Sequence, residues 1–270
     1  MGKYPFQQIA SKWLKTQVML KNKRLVPYIP TTTWFQREHL FSLLERYGLV
    51  YLKPDKGGGG VGVVRVEMPA RGQYVVHYAT VRKNVIGDNA LLTFLTQRML
   101  SGKRYILQRG IPLARIKGRP FDIRIVVQKP EAKWVIMGMV AKVAAKAKVV
   151  TNRAGGGMAL SFADALSKSF HASEEQIKNA QQQLTAIALE TASALCERFT
   201  RLRVLGLDVG FDDSGCPWIF EVNTRPLFHL FQTVDPPRYR QIIDNQRKII
   251  ADEQKRALSA YAHKRTQQRG

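Results

Sequence analysis

Hydrophobic and polar positions alternate most cleanly toward the C-terminal end, in Gly206-Leu-Asp-Val-Gly-Phe211 and again in Trp218-Ile-Phe-Glu-Val-Asn223. A period of two is the strand period. Between the two runs lies a polar corner, Asp212-Asp213-Ser214-Gly215, where glycine supplies the backbone angles of a tight turn. The stretch therefore predicts a β-hairpin. With Ser214-Gly215 as its turn, Asp208 stands opposite Glu221, and Asn223 falls two residues further along the same face. Leu207, Val209, Phe211, Trp218, Phe220 and Val222 fill the other face, which is expected to be core.

The rest of the chain supplies elements on either side. Residues 3–24 carry apolar positions (Phe6, Ile9, Trp13, Leu14, Val18, Leu20) among Lys3, Lys12, Lys15, Lys21, Lys23 and Arg24, a pattern that predicts a basic amphipathic helix. Pro27 and Pro30 hold the next segment extended, because proline disfavours helix in the residue before it. A second helix is expected over 34–47, ended by Gly48. Strands follow over 49–53, 63–68, 74–78 and 104–108, with a helix over 90–100. Further on, strands are expected over 123–128 and 134–143, then a glycine-rich loop over 152–157. Ser173-Glu-Glu-Gln176 reads as a capping box. It opens the longest amphipathic helix, whose packing face is Ile177, Ala180, Leu184, Ile187, Thr191, Leu195 and Leu202. After Pro236-Pro237 a basic amphipathic helix is predicted to about residue 262. The fold class is α/β (α+β) in two lobes. Residues 1–48 form a basic helical segment, 49–110 a small lobe, 111–235 a large lobe and 236–270 a basic C-terminal helix.

Composition changes the picture in one respect. The chain has 43 basic and 20 acidic residues, and such a field attracts polyanions. Nucleotides, acidic peptides or polymers, nucleic acid and a membrane surface all fit that charge, although no nucleic-acid reading motif is present, which leaves only non-specific contact with nucleic acid. Cys196 and Cys216 lack CxxC spacing, so a reducing, cytoplasmic setting is expected rather than a disulfide framework. No apolar run has signal-peptide or membrane-span length. The five histidines show no HExxH spacing, which argues against zinc.

Two stretches carry candidate chemistry. The carboxylates of Asp208 and Glu221 repel each other across a strand pair. A hard cation between them, completed by the Asn223 amide oxygen, makes the arrangement favourable, so the trio reads as a magnesium site. The alternative is the solvated face of a hairpin, and from the hairpin alone both stand. The second stretch is Gly57, Gly58, Gly59, Gly60 and Gly62. A dinucleotide-binding loop would lead into a helix, but Val61-Gly-Val-Val-Arg-Val66 is strand-like. The GxxxxGK[ST] phosphate loop is absent, and there is no HRD or DFG of a protein kinase. The remaining readings are a flexible linker or a flap whose bare amides approach phosphates. Lys53 ends an apolar strand just before the loop, where a buried ammonium needs an anion.

In order along the chain, VYLKPDKGGGGVGV (50–63), YILQRGIPL (105–113), GRPFDIRIVVQK (118–129), VTNRAGGG (150–157) and GLDVGFDDSGCPWIFEVNTRP (206–226) resemble the ATP-grasp superfamily, and within it the YheC/YheD, endospore coat-associated, group. The resemblance implies ATP bound between two lobes, here without the full domain that usually precedes them. It implies that Lys53 meets the α/β-phosphates, that Lys12 (with Lys15 as its rival) meets nucleotide, and that residues 57–62 cover the phosphates. Gln108, Arg109, Gly110 and Ile111 become the interlobe linker whose backbone reads the adenine edge. Asp122 takes the position of the acidic residue at the ribose. Arg124, Lys142 and Arg153 become the catalytic basic residues, and Asp208, Glu221 and Asn223 the magnesium ligands. The implied activity is ATP-dependent carboxylate–amine ligation through an acyl phosphate, on an acidic or peptide-like small molecule or polymer. A spore-associated ATP-binding protein without ligase activity is the alternative. On residues alone, Asp122 and Arg124 also fit a surface ion pair, and Lys142 and Arg153 also fit solvated side chains.

Overall fold

The computed structural model describes residues 5–145 and 157–267. Two antiparallel six-stranded sheets form two lobes. In the small lobe, β1 (Thr32–Trp34), β2 (Leu49–Pro54), β3 (Val64–Ala70), β4 (Gln73–Tyr78), β5 (Val81–Ile86) and β6 (Tyr105–Arg109) run in the order β1-β6-β2-β3-β4-β5. Helices α2 (Arg37–Tyr47) and α3 (Asp88–Thr96) bury Leu40, Leu44, Leu91 and Leu95 on one side of it. Tyr51 and Lys53, which alternate with the buried Val50 and Leu52 on β2, are left facing the other lobe.

The first helix is much shorter than the sequence pattern suggests. α1 covers only Lys12–Met19, because Ser11 caps it by accepting from Leu14 N and the chain turns again at Asn22. The described residues before it form no regular element. They lie against the large lobe, with Phe6 buried and Gln7 N donating to Arg201 O at 3.0 Å. Two edge strands of the small lobe, β1 and β5, carry no alternating apolar signal. In β5 only Val85 is buried.

The large-lobe sheet contains β7 (Arg115–Ile116), β8 (Arg119–Gln128), β9 (Val135–Val143), β10 (Met158–Ser161), β11 (Val204–Phe211) and β12 (Pro217–Asn223). Its order is β10-β9-β8-β11-β12, with β7 paired to β8. α4 (Phe162–Phe170) and α5 (Glu174–Arg198) cover one face. The capping box forms as expected. Gln176 N donates to Ser173 Oγ at 3.3 Å, and Ser173 N donates to Gln176 Oε1 at 2.8 Å. Leu184, Ile187, Thr191 and Leu195 are buried, and Ile177 and Ala180 pack at the margin of the same core.

α6 (His229–Val234) and α7 (Pro236–Gln267) close the outer side of the large-lobe sheet. Ile242 and Ile249 are fully buried there, each contributing about 1.5–3 kcal/mol. A buried ion pair, Arg203 Nη1 to Glu253 Oε1 at 2.9 Å, fixes α7 in register with the sheet.

The hairpin forms with two corrections, the first being that its turn centres on Asp213-Ser214, closed by Gly215 N donating to Asp212 O at 3.0 Å, rather than on Ser214-Gly215. Asp208 pairs with Glu221, but a bulge follows, and Val209 pairs with Ile219. An extra residue on one strand reverses the facing of everything beyond it. Ile219 therefore takes the core position, while Phe220 turns to the cleft and Trp218 leaves the core face.

Candidate functional site

Between the lobes lies a cleft of about 950 Å³. Its floor is built from three neighbouring large-lobe strands whose register sets acids against bases. Asp122 on β8 pairs with Lys142 on β9, and Arg124 on β8 pairs with Asp208 on β11. Directly opposite residues have their side chains close together on one face, and here the side chains meet. Arg124 grips Asp208 with two bonds, Nε to Oδ1 at 2.8 Å and Nη2 to Oδ2 at 3.0 Å. Lys142 Nζ lies 2.8 Å from Asp208 Oδ1 and 2.7 Å from Asp122 Oδ1. Burial alone would push the Asp208 carboxyl up, but Arg124 and Lys142 hold it far below the usual carboxylate range. Burial would lower Lys142, and the two facing carboxylates raise it instead.

The other side of the cleft is the small lobe and the α1 helix. Lys53 donates to Gln108 Oε1 and lies 5.9 Å from the centre of the Phe220 ring. Burial pushes Lys53 down to about 8, against the attraction of Glu221. Residues 57–62 arch over this end. Gly57, Gly59, Gly60 and Gly62 all have positive φ, a region that side-chain-bearing residues rarely adopt, which is why the loop is written in glycine. Lys12 reaches across the gap, donating to Gly57 O at 2.7 Å while standing 3.5 Å from Glu221 Oε1. Lys15 donates instead to Ile9 O at 3.0 Å and does not line the cleft. Of the two rival lysines, Lys12 is the one in the site.

The structure thus brings Lys12, Lys53, Gly57, Gly58, Gly59, Gly60, Gln108, Arg109, Ile111, Asp122, Arg124, Lys142, Asp208, Glu221 and Asn223 to one cleft. Gly62 closes the flap against Tyr105 and Leu100. Gly110 packs on Leu49 at the crossing between lobes. Arg153, with Asn152, lies outside the described residues. Asp122 and Arg124 are not the surface pair that their i, i+2 spacing allows. Each has its partner on a neighbouring strand, and Asp122 is only 4% exposed. Two residues that sequence reasoning passed over belong here. Phe220 enters through the bulge. Asp55, between Lys53 and the glycines, accepts from Ser11 Oγ and Trp13 N, both at 2.9 Å. Its proximity to the glycine loop was the available signal.

Asp208, Glu221 and Asn223 present hard oxygen donors, the chemistry magnesium takes. Among the described residues no group of three or more His, Cys, Asp or Glu could hold a metal; this trio has two carboxylates and an amide. Asn223 directs Nδ2 toward Asp208 Oδ2 at 3.4 Å, the longest of the contacts to that carboxylate. Turning the amide over exchanges this donor for an oxygen ligand, so the donor set fits a divalent cation. Among the described residues, nine arginines and lysines line the cleft against three carboxylates. That surplus calls for an anionic occupant.

A family model described as YheC/D like ATP-grasp matches residues 5–248. The chain is 26% identical over 222 residues to the endospore coat-associated protein YheD of Bacillus subtilis (strain 168), covering 80% of this chain and 48% of that one. It is 26% identical over 255 residues to the endospore coat-associated protein YheC of the same organism, covering 90% of this chain and 68% of that one. The chain therefore spans about half the length of one relative and about two thirds of the other. Among solved structures, the D-alanine–D-alanine ligase from Coxiella burnetii shares the fold with a TM-score of 0.56 at 14% identity, covering 96% of this chain and 62% of that one. Among the described residues no helix is long and apolar enough to cross a membrane.

Proposed function

This chain belongs to the YheC/D-like ATP-grasp family, and from that premise we propose that its cleft binds ATP with magnesium and joins a carboxylate to an amine. The observation that carries the reading is the Asp208–Glu221 register pair, with Asn223 beside it, facing Lys53 and the glycine flap. Magnesium, when bound, would supply positive charge against the negative charge that builds on the transferred group. Asp208, Glu221 and Asn223 would hold it.

The chain's own residues do the rest. Lys53 and Lys12 neutralise the phosphate tail, and Lys53 gains the anion its partly buried position lacks. Gln108, Arg109, Gly110 and Ile111 offer their backbone to the adenine edge. Arg124 and Lys142 stabilise the phosphoryl group as a substrate carboxylate oxygen attacks the γ-phosphorus. The bond to the bridging oxygen breaks and ADP leaves. An amine then attacks the acyl carbon, losing a proton, and inorganic phosphate departs. The flap over residues 57–62 excludes water that would hydrolyse the acyl phosphate. The resemblance assigns Asp122 to the ribose; its 2.7 Å ion pair favours a second task, holding Lys142 toward the phosphates. The surplus of positive charge suits an acidic or peptide-like acceptor, and the relatives' names suggest a spore-coat setting.

ADP release, measured against pools of amino acids and acidic peptides, tests the ligase. Substrate-stimulated release that depends on Lys142 is the expected result. ATP binding without stimulated release across a broad screen would instead favour a spore-associated nucleotide-binding protein.

A further inference from the structure

We propose that Asp55 is a positioning residue that ties the glycine flap to the metal-ligand end of the cleft through helix α1. The proposal rests on the nucleotide reading above. Asp55 follows β2 and stands two residues before Gly57. It is buried, and its Oδ1 and backbone oxygen are both directed at one helix end. Its Oδ1 accepts from Ser11 Oγ and from Trp13 N, both at 2.9 Å, and its backbone oxygen accepts from Lys12 N at 3.0 Å. The root of the flap therefore satisfies the Lys12 and Trp13 N–H groups at the start of α1, adding to the cap that Ser11 makes on Leu14 N. Its backbone N–H donates to Arg104 O at 2.9 Å, which fixes Asp55 itself to the small lobe.

The same helix end reaches the large lobe. Lys12, the first residue of α1, places Nζ 2.7 Å from Gly57 O and 3.5 Å from Glu221 Oε1. One turn later Lys15 holds Ile9 O at 3.0 Å, and Ile9 N donates to Thr224 Oγ1 at 2.9 Å, the residue next to Asn223. A chain of contacts thus runs from flap root to the start of α1, to Lys12, and to Glu221 and Thr224 at the end of β12. Its geometry does something a plain cap does not. The aspartate that orients Lys12 stands in the same loop that Lys12 grips, so flap position and Glu221 position share one rigid element. A nucleotide that seats against Glu221 would then meet the flap already placed over its phosphates.

The test is a double-variant cycle on affinity for ATP with magnesium, read by calorimetry, with hydrogen exchange of the flap amides as the second readout. Asp55→Ala should weaken binding about tenfold, in the range a lost cap supports, and should remove nucleotide-dependent protection of residues 57–62. In a Lys12→Met background the same Asp55→Ala change should add less than about twofold, because the tie runs through Lys12. Asp55→Asn, which keeps the accepting oxygen, should restore affinity. Independent, additive losses would make Asp55 a purely structural cap and overturn the proposal, as would parent-like affinity in Asp55→Ala. If Asp55→Ala does not fold, Ser11→Ala decides: a loss of about threefold, absent in the Lys12→Met background, is expected, and unchanged affinity overturns it. A parent protein that binds no ATP would instead sink the nucleotide reading itself, and the two failures are told apart by that control.

Discussion

Phe220 and Glu221 are consecutive in β12, yet both face the cleft. The bulge between the Asp208–Glu221 and Val209–Ile219 pairs puts them there. Gly210 makes room for the ring: a Cβ at that position would sit 2.4 Å from Phe220 Cε2. Gly210→Ala is therefore expected to cost about 1–3 kcal/mol by overpacking. It should weaken nucleotide binding by displacing the ring that lies over Lys53. In a Phe220→Ala background the part of that cost set by the ring should vanish, leaving the close fit against Leu113 Cδ2 at 2.7 Å. Thermal unfolding of the four variants checks this, and equal costs in both backgrounds would contradict the placement of Phe220.

Lys53 sets a pH dependence. Burial lowers it to about 8, and a bound polyphosphate favours its charged form. The free protein carries the charge below about pH 8 and loses it above, so binding at higher pH must first take up a proton. Affinity for ATP should be level below pH 7.5 and fall as pH rises from about 8 to 9.5. Buffers of different ionisation heat should reveal proton uptake in that window. Lys15 is lowered to the same region, so Lys53→Met is the control that assigns the effect. A pH slope that persists in that variant would place it elsewhere.

How much of this could be read from the chain depends on range. The hairpin and the Asp208–Glu221 pairing followed from local alternation, but the turn lies one position before the expected Ser214-Gly215, and the bulge is what brings Asp208 back opposite Glu221. Strict alternation assumes an unbroken register, so it could not foresee a bulge, and it put Trp218 and Phe220 in the core. The edge strands β1 and β5 were illegible because they bury little; β5 has one buried residue. Sequence spacing likewise could not choose between Lys12 and Lys15, which lie one turn apart. The choice came from α1's orientation, set by the distant Asp55. Arg124 was identified as basic machinery, but its grip on Asp208 joins residues 84 positions apart, beyond any local pattern.

That grip carries a stability cost when broken. Asp208→Asn takes from Arg124 its nearest counter-charge in a part-buried site, and removing one partner of a pair costs up to about 3–5 kcal/mol when it is fully buried. Asp208 is held below the usual carboxylate range, so its contribution is complete above that range and is lost as pH falls through and beneath it. The variant should be less stable near neutrality and lose less on acidification than the parent. Denaturant unfolding at pH 7 and at about pH 2.5, beneath the ordinary carboxylate range, measures both effects. Parallel loss in the two proteins would show that Asp208 does not carry the acid sensitivity.

The central claim is a magnesium-dependent ATP site between Lys53 and the Asp208–Glu221–Asn223 face. The most direct measurement is an ATP titration of the parent with magnesium, the parent with chelator, and Glu221→Ala with magnesium. The account predicts saturable binding in the first and a loss of at least about tenfold in the other two, the scale of one charge-assisted ligand. Equal affinity in all three, or no binding in the parent, would contradict it.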